Sequence, residues 1–262
     1  MKKEIKITVP NDYSAVSLKK YLRIQKDLED YKDDEQAQDA FLLFNLCGIT
    51  PEVARALDND TVTSIKKDLN KLLNKQDYEL TKIIEIDGVE YGFEPNLSEM
   101  AYGAYLDLSK NESVTIDKDW GKTLSILYRK VTRKQGALYE IEPYNSKKIL
   151  EPSKWLDVNM DFHFGCFFFL HSYLQGLTER YPEIFDGPGI EAGNPESTYQ
   201  ATFSQKWRGY QSIAILARED ITKFEEVTSR PLEECLLYLC YTSDKVQMEK
   251  QIHKANMRKY KK

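Results

Sequence analysis

The chain has 262 residues, of which 41% are hydrophobic and 30% are charged, with a formal net charge of -5 at pH 7. These proportions are typical of folded globular proteins and argue against a disordered chain. The excess of negative charge argues against nucleic acid as the main partner. Aromatic residues make up 12% of the chain, which favours extensive side-chain packing or surfaces that bind other proteins.

Targeting and redox signals indicate a protein of the cytoplasm. The first residues lack the apolar core of a secretory signal peptide. The apolar run from Met160 to Leu174 is too short, and too interrupted by polar residues, to cross a bilayer. No CxxC pair is present, and the cysteines lie among apolar neighbours, which predicts free thiols in a reducing compartment. These cysteines are Cys47, Cys166, Cys235 and Cys240.

The first 80 residues predict a short edge strand followed by helices. Apolar and polar residues alternate over residues 5–9, and Pro10 ends the strand. Four helices are expected to begin at Ser17, near Gln36, at Thr50-Pro51, and near Asp60 or Thr61. Gly48 stands where the second of these helices should end, as a C-terminal glycine does.

The clearest β signal is Lys82–Phe93, where Asp87-Gly88 separates two β-rich arms. This dipeptide is the strongest short-range indication of a hairpin. Beyond the hairpin the pattern predicts three helices and a short strand. The helices begin at Ser98, at a cap formed by Asp117 or Asp119, and near Leu156, and the strand spans Leu138–Ile141.

A stretch rich in glycine and proline, Glu183–Thr198, is the one convincing linker. It divides the chain into a mostly helical domain with a small sheet (1–182), a linker (183–198) and a helical C-terminal module (199–262). The fold class predicted is α+β, predominantly helical, with a small antiparallel β element at 82–93.

No motif in the chain supports catalysis or cofactor binding. Gly121-Lys122-Thr123 matches the end of a phosphate-binding loop, but the required second glycine is Ile116 instead. The run that begins at Asp58 lacks the glycine and glutamate of a calcium loop and is better interpreted as a helix cap. His163 and Cys166 share one face of a helix, yet no third ligand has suitable spacing, so core packing is favoured. We therefore predict no catalytic, cofactor or metal residues and a non-enzymatic protein.

The C-terminal block Trp207–Cys240 carries the most specific pattern. Trp207 and Tyr210 open an amphipathic helix, a polar break follows at 218–220, and a second helix carries Leu232 and Leu236. This order resembles the C-terminal part of tail assembly chaperones from long-tailed bacteriophages. Three segments of the first domain, 7–10, 18–22 and 87–97, resemble uncharacterised proteins from the virion-assembly gene clusters of tailed phages.

The resemblance implies a function in virion assembly. The family keeps the long tape-measure protein soluble, recruits tail-tube subunits, leaves before the tail is complete and uses no cofactor. Its second part is commonly added by a translational frameshift, and the linker is where such a junction would lie. The partners implied are therefore proteins, with neither nucleic acid nor a membrane among them, and a homo-oligomer remains open. The host cytoplasm is the expected location.

A chaperone of this kind needs an exposed apolar strip bordered by charge. The residues predicted to supply it are Trp207, Tyr210, Phe224, Leu232 and Leu236. The alternative is that these residues form the core of the C-terminal module. For function, the alternatives are a structural virion protein of the neck, connector or tail-completion type, and an enzyme whose site no motif reveals.

Overall fold

A computed structural model of the protein describes residues 7–110, 115–185 and 195–260. The described residues form α-helices and one four-stranded antiparallel sheet, which confirms the predicted α+β, predominantly helical class. The helices are α1 (Leu18–Asp30), α2 (Glu35–Cys47), α3 (Pro51–Ala56), α4 (Asn59–Leu73), α5 (Tyr102–Leu108), α6 (Trp120–Leu127), α7 (Met160–Arg180), α8 (Pro182–Phe185), α9 (Pro195–Leu216), α10 (Phe224–Ser229) and α11 (Leu232–Tyr260). The strands are β1 (Ile83–Ile86), β2 (Val89–Phe93), β3 (Tyr128–Gln135) and β4 (Leu138–Ile141).

The chain divides into two compact units, and neither is continuous in sequence. Unit 1 contains the described residues of Met1–Glu90, Val114–Ser125 and Leu150–His171, and unit 2 contains those of Tyr91–Ser113, Ile126–Ile149 and Ser172–Lys262. The predicted division at the 183–198 linker stays a prediction. Residues 186–194 of that linker lie outside the described residues, and α8 and the start of α9 occupy its two ends.

Several predicted helix ends are confirmed at the level of individual hydrogen bonds. The Ser17 hydroxyl accepts from the backbone N–H of Lys20 and caps α1. Gly48 ends α2 in the left-handed conformation at φ 68°. Asp58 caps α4 by accepting from the Thr61 N–H at 2.8 Å. Each of these signals is local in sequence, which is why the pattern alone identifies it.

The hairpin predicted at 82–93 is confirmed as β1 and β2. Asp87 and Gly88 both have positive φ, 52° and 76°, as a two-residue turn between twisted strands requires. The strand order is β1-β2-β3-β4. The short strand predicted at Leu138–Ile141 is confirmed as β4, which pairs with β3 across the turn at Gly136. The sequence pattern did not predict β3, which follows α6 without a loop.

Other predicted boundaries are wrong because tertiary pairing overrides local pattern. The helix expected from Ser98 begins at Tyr102, since Ala101 forms a β-bridge with Pro231. The long apolar helix begins at Met160 rather than near Leu156, because Pro152–Asp157 forms a 3-10 turn. Residues 7–9 are not in a strand, and the rest of the predicted edge strand lies outside the described residues.

The centre of unit 1 contains two tryptophans whose indole nitrogens both donate hydrogen bonds. Trp155 Nε1 donates to the Ser125 hydroxyl at 2.8 Å, and that hydroxyl donates to the Gly121 carbonyl. Trp120 Nε1 donates to His163 Nδ1 at 3.2 Å. Burial of an indole is stable only when its N–H finds an acceptor, and here both do.

A second cluster of unit 1 lies among α2, α3 and α4. Its buried members are Leu43, Ile49, Ile65 and Leu69. In addition, α7 approaches the chain closely at Gly165, where an added Cβ would fall 2.2 Å from the Glu79 carbonyl oxygen. Only glycine fits at that point of the helix.

Unit 2 is built around α5, which packs against α10 and α11. Tyr102 donates its backbone N–H to the Arg230 carbonyl at 2.8 Å, and Leu232 donates to the Met100 carbonyl at 2.9 Å. These two bonds hold the start of α5 beside the start of α11. Gly103 permits the close approach, because a Cβ there would lie 3.1 Å from the Thr228 side chain.

Candidate functional site

Three of the five residues predicted to bind partners form one aromatic cluster. Trp207 and Tyr210 lie one turn apart on α9, with ring centroids separated by 5.6 Å. The Tyr210 ring meets Phe224, the first residue of α10, edge-on at 5.3 Å. Trp207 is 39% exposed and Tyr210 is 51% exposed. The rings therefore pack on one another and still face solvent.

The other two predicted residues are placed differently. Leu232 is 0% exposed and Leu236 is 1% exposed, so both belong to the core of unit 2. This placement agrees with the alternative interpretation of the pattern, in which apolar residues at helical spacing form the module's core. A partner cannot reach either leucine in the folded chain.

Trp207 and Tyr210 line a groove of about 1230 Å³ in unit 2, which we call the aromatic groove. It is formed by α5, the β3–β4 arm with the loop that follows it, α9 and α10. Leu106 and Ile213 add apolar surface. Gly209 allows α9 to lie against α5, since an added Cβ would contact Leu106 at 3.5 Å.

A buried ion pair holds one wall of the aromatic groove. The guanidinium of Arg129 pairs with the Glu94 carboxylate, and the two side chains are only 11% and 10% exposed. Arg129 Nε also donates to the Glu142 carbonyl at 2.8 Å, which fixes the chain just beyond β4. Planar Arg geometry suits such multiple contacts, and the additional hydrogen bond offsets part of the desolvation cost.

Tyr144 and Asp107 join the loop after β4 to α5. The Tyr144 hydroxyl donates to the Asp107 carboxylate at 2.5 Å, and Lys110 pairs with the same carboxylate at 2.5 Å. Burial, together with the hydrogen bond to Asp107, raises the pKa of the Tyr144 hydroxyl above its usual range. Tyr144 therefore stays a neutral hydrogen-bond donor, and the loop is held to the helix.

The lining of the aromatic groove is more acidic than basic. It contains six carboxylates and four cations. Arg129 and Lys110 are already paired with Glu94 and Asp107, which leaves four carboxylates and two cations. One of the four, Glu140, also lies 3.8 Å from Arg133 outside the groove. One of the remaining cations, Lys206, lies 5.1 Å from the centre of the Trp207 ring. Such a surface favours an apolar segment that carries positive charge.

Most of these groove residues were not predicted from the sequence. The walls come from residues 94–110 and 139–147, which are remote in sequence from Trp207. One sequence signal could have indicated part of the groove wall, since Pro143-Tyr144-Asn145 places an aromatic residue in a loop directly after a strand. Aromatic residues in loops held by a rigid scaffold commonly contact ligands.

His163 and Cys166 of α7 belong to the core of unit 1, as the sequence pattern predicted. Both His163 and Cys166 are 0% exposed. Burial lowers the pKa of His163 to about 4 and raises the pKa of the Cys166 thiol. His171 is exposed instead and lies beside the Phe167 ring. In the part of the chain that the structure describes, no group of three or more potential ligands is arranged to hold a metal ion.

The two remaining motifs serve structural purposes. Gly121-Lys122-Thr123 lies inside α6, and a Cβ at Gly121 would fall 2.6 Å from the Pro152 carbonyl oxygen. This glycine therefore serves close packing in unit 1. Asp58 caps α4, as described above.

Comparison of the chain with protein-family models, with characterised proteins and with solved structures gives no match. Among the described ranges, none of the helices combines the length and apolar character needed to cross a bilayer. All four cysteines are free thiols, with Cys166 and Cys235 buried and Cys47 and Cys240 partly exposed.

Proposed function

We propose that the chain is a non-enzymatic tail assembly chaperone of a long-tailed bacteriophage, acting in the host cytoplasm. In this function it holds a segment of the tape-measure protein in the aromatic groove and recruits tail-tube subunits. The resemblance of Trp207–Cys240 to that family suggests the biological setting. The observation that carries the proposal is the exposed pair Trp207 and Tyr210 in a groove with an acidic rim.

The dimensions of the aromatic groove suit a protein segment better than a small molecule. Its volume of about 1230 Å³ exceeds the roughly 300–1,000 Å³ of ordinary small-molecule pockets. Tryptophan and tyrosine are the residues that most often anchor protein interfaces, because each buries a large rigid surface at little entropic cost. A chaperone also benefits from anchors that tolerate different side chains in the partner.

The charges around the groove support the same kind of occupant. Four carboxylates remain after the two internal ion pairs, among them Glu99 and Glu225. A helical or extended segment with apolar residues flanked by Lys or Arg would bury its apolar groups on Trp207 and Tyr210. Its cations would meet the rim, which speeds encounter and excludes acidic segments.

A first experiment measures how much tape-measure protein stays soluble when the two proteins are produced together. We expect the double variant Trp207→Ala, Tyr210→Ala to lose most of this effect, because removing two anchors weakens binding by about tenfold or more. Phe203→Ala is the matched control: Phe203 lies on the same helix and is 54% exposed. Equal losses in the control and the double variant, or none in either, would contradict the proposal.

A second experiment asks whether the protein remains in finished particles. Mass spectrometry of purified virions should not detect it, and deletion of its gene should abolish tails. Presence at a fixed copy number would instead identify a structural neck, connector or tail-completion protein. Normal particles after deletion would contradict both functions.

A further inference from the structure

A stripe of exposed apolar residues runs along α11, outside the aromatic groove. Leu237, Tyr238, Tyr241, Met248 and Ile252 are 65%, 39%, 61%, 52% and 53% exposed. Their spacing of three, four and seven residues places them on one face of the helix. From Leu237 to Ile252 the stripe extends about 22 Å at 1.5 Å per residue.

The N-terminal half of this stripe continues into a second groove of unit 2, which we call the α11 groove. Its volume is about 800 Å³, and most of the surface that lines it is apolar. Leu216 of α9 and Val227 of α10 form its sides, and Leu237, Tyr238 and Tyr241 belong to both the groove and the stripe. The stripe therefore borders an apolar groove at its N-terminal end. At its other end it lies on a fully exposed part of α11, residues 244–258, which we call the bare half of the helix.

The two ends of the stripe also differ in charge. Residues 218–234, which include the charged residues that line the α11 groove, contain six carboxylates and three cations. Residues 244–258, along the bare half of the helix, contain four cations and two carboxylates. Two copies of this surface attract each other when their helices run in opposite directions, and they repel when the helices run in parallel.

We propose that α11 pairs with α11 of a second copy of the chain, antiparallel and about a two-fold axis. The bare half of each helix fills the α11 groove of the other copy. This contact is self-complementary, as the interface of a two-fold dimer must be. It is independent of the proposed function and adds a surface that the aromatic groove does not use.

One register satisfies the apolar and charged residues together. Placing Tyr241 opposite Met248 of the second copy also places Leu237 opposite Ile252. The same register sets Asp244 opposite Lys245, once on each side of the axis. Lys245 lies within the apolar stripe, and this pairing gives it an acidic partner at the centre of the contact.

The first test is sedimentation of the full chain over a range of concentrations. We expect a dimer for the unaltered protein. Met248→Glu should give a monomer with unchanged circular dichroism, because Met248 is 52% exposed and its replacement leaves the core intact. A monomer for the unaltered chain at concentrations on the order of 100 µM would overturn the proposal. A dimer that survives Met248→Glu would overturn it too.

A charge exchange tests the register itself. Asp244→Lys should weaken dimerisation by about tenfold, since it turns two attractive pairs into repulsive ones. The double variant Asp244→Lys, Lys245→Asp restores both pairs and should recover dimerisation. Lys250→Gln, on the opposite face of the same helix, is the control and should change little. Failure of the double variant to recover would show that the helices do not pair in this register.

Discussion

The three tryptophans of the chain occupy opposite environments in the two units. In unit 1, Trp120 and Trp155 are 1% and 0% exposed, and each indole N–H has an acceptor. In unit 2, Trp207 lies on the wall of an open groove and is 39% exposed. The contrast is between aromatic residues that stabilise a core and aromatic residues that remain available to a partner.

Other aromatic residues of the two units show the same difference in exposure. In unit 1, Phe164 of α7 has the rings of Tyr13, Tyr21 and Tyr78 within 5.6 Å of its own, so aromatic neighbours cover it. In unit 2, Trp207, Tyr210 and Phe224 form a chain of contacts with one side open. The aromatic residues thus form a packed core in one unit and an exposed surface in the other, and only the fold distinguishes the two environments.

The largest expected effect is the difference in stability between a variant of a buried tryptophan and a variant of an exposed one. Trp155→Ala should lower the free energy of unfolding by about 3–5 kcal/mol, because it leaves a cavity and removes the hydrogen bond from the indole N–H to the Ser125 hydroxyl. Trp207→Ala should change it by less than about 1 kcal/mol, as an exposed residue does. Urea unfolding followed by circular dichroism measures both. Similar losses for the two variants would remove the distinction between core and groove.

Acid should destabilise unit 1 through His163. Its folded-state pKa is about 4, below the ordinary 6.5, so the unfolded chain binds a proton more readily than the folded one. The contribution is complete above pH 6.5 and is lost as the pH falls toward 4, amounting to about 3 kcal/mol. Urea unfolding at several pH values should show this slope.

The non-titrating variant His163→Gln is the control for that experiment. It retains an acceptor for Trp120 Nε1 and removes the imidazole, so the slope between pH 6.5 and 4 should become shallower. An unchanged slope would assign the acid sensitivity to other groups.

Two glycines of α7 sharpen the distinction between packed and open surface. Gly165→Ala should cost about 1–3 kcal/mol, because the new Cβ meets the Glu79 carbonyl oxygen at 2.2 Å. Gly176→Ala meets nothing within 4 Å and should raise stability by up to about 1 kcal/mol, as alanine does in a helix. Thermal unfolding of both variants measures the difference, and the same sign for both would contradict the close approach at Gly165.

The smallest expected effect concerns the groove wall. Tyr144→Phe removes the hydrogen bond to Asp107 and should cost about 1 kcal/mol. Tyr31→Phe, at an exposed residue of unit 1, is the matched control. Urea unfolding measures the stability of both. If Tyr144→Phe costs no more than the control, the bond does not hold the loop to α5.

Local signals allowed a large part of the fold to be predicted. Ser17, Gly48 and Asp58 act on neighbouring backbone groups, and the turn at Asp87-Gly88 needs only its own two residues. In contrast, β3 was missed because Arg129, Lys130, Arg133 and Lys134 suggest a solvated segment. Its pairing with β2 and β4 comes from tertiary contacts, which a single-sequence pattern does not contain.

The candidate site was predictable only where its residues are close in sequence. Trp207, Tyr210 and Phe224 meet because helical spacing and one short turn bring them together. Helical spacing does not set exposure, and for that reason Leu232 and Leu236 were assigned to the same strip although they are buried. The walls formed by Glu94, Arg129 and Tyr144 depend on contacts between distant segments.

The discontinuous units impose an order of events at the ribosome. Unit 1 is complete only after synthesis has passed residue 171, the end of the segment that contributes Trp155 and His163. The aromatic groove combines residues 94–147 with residues 206–229, so it is complete only after residue 229 has been synthesised. A nascent or truncated chain that ends before residue 206 therefore carries only part of the aromatic groove.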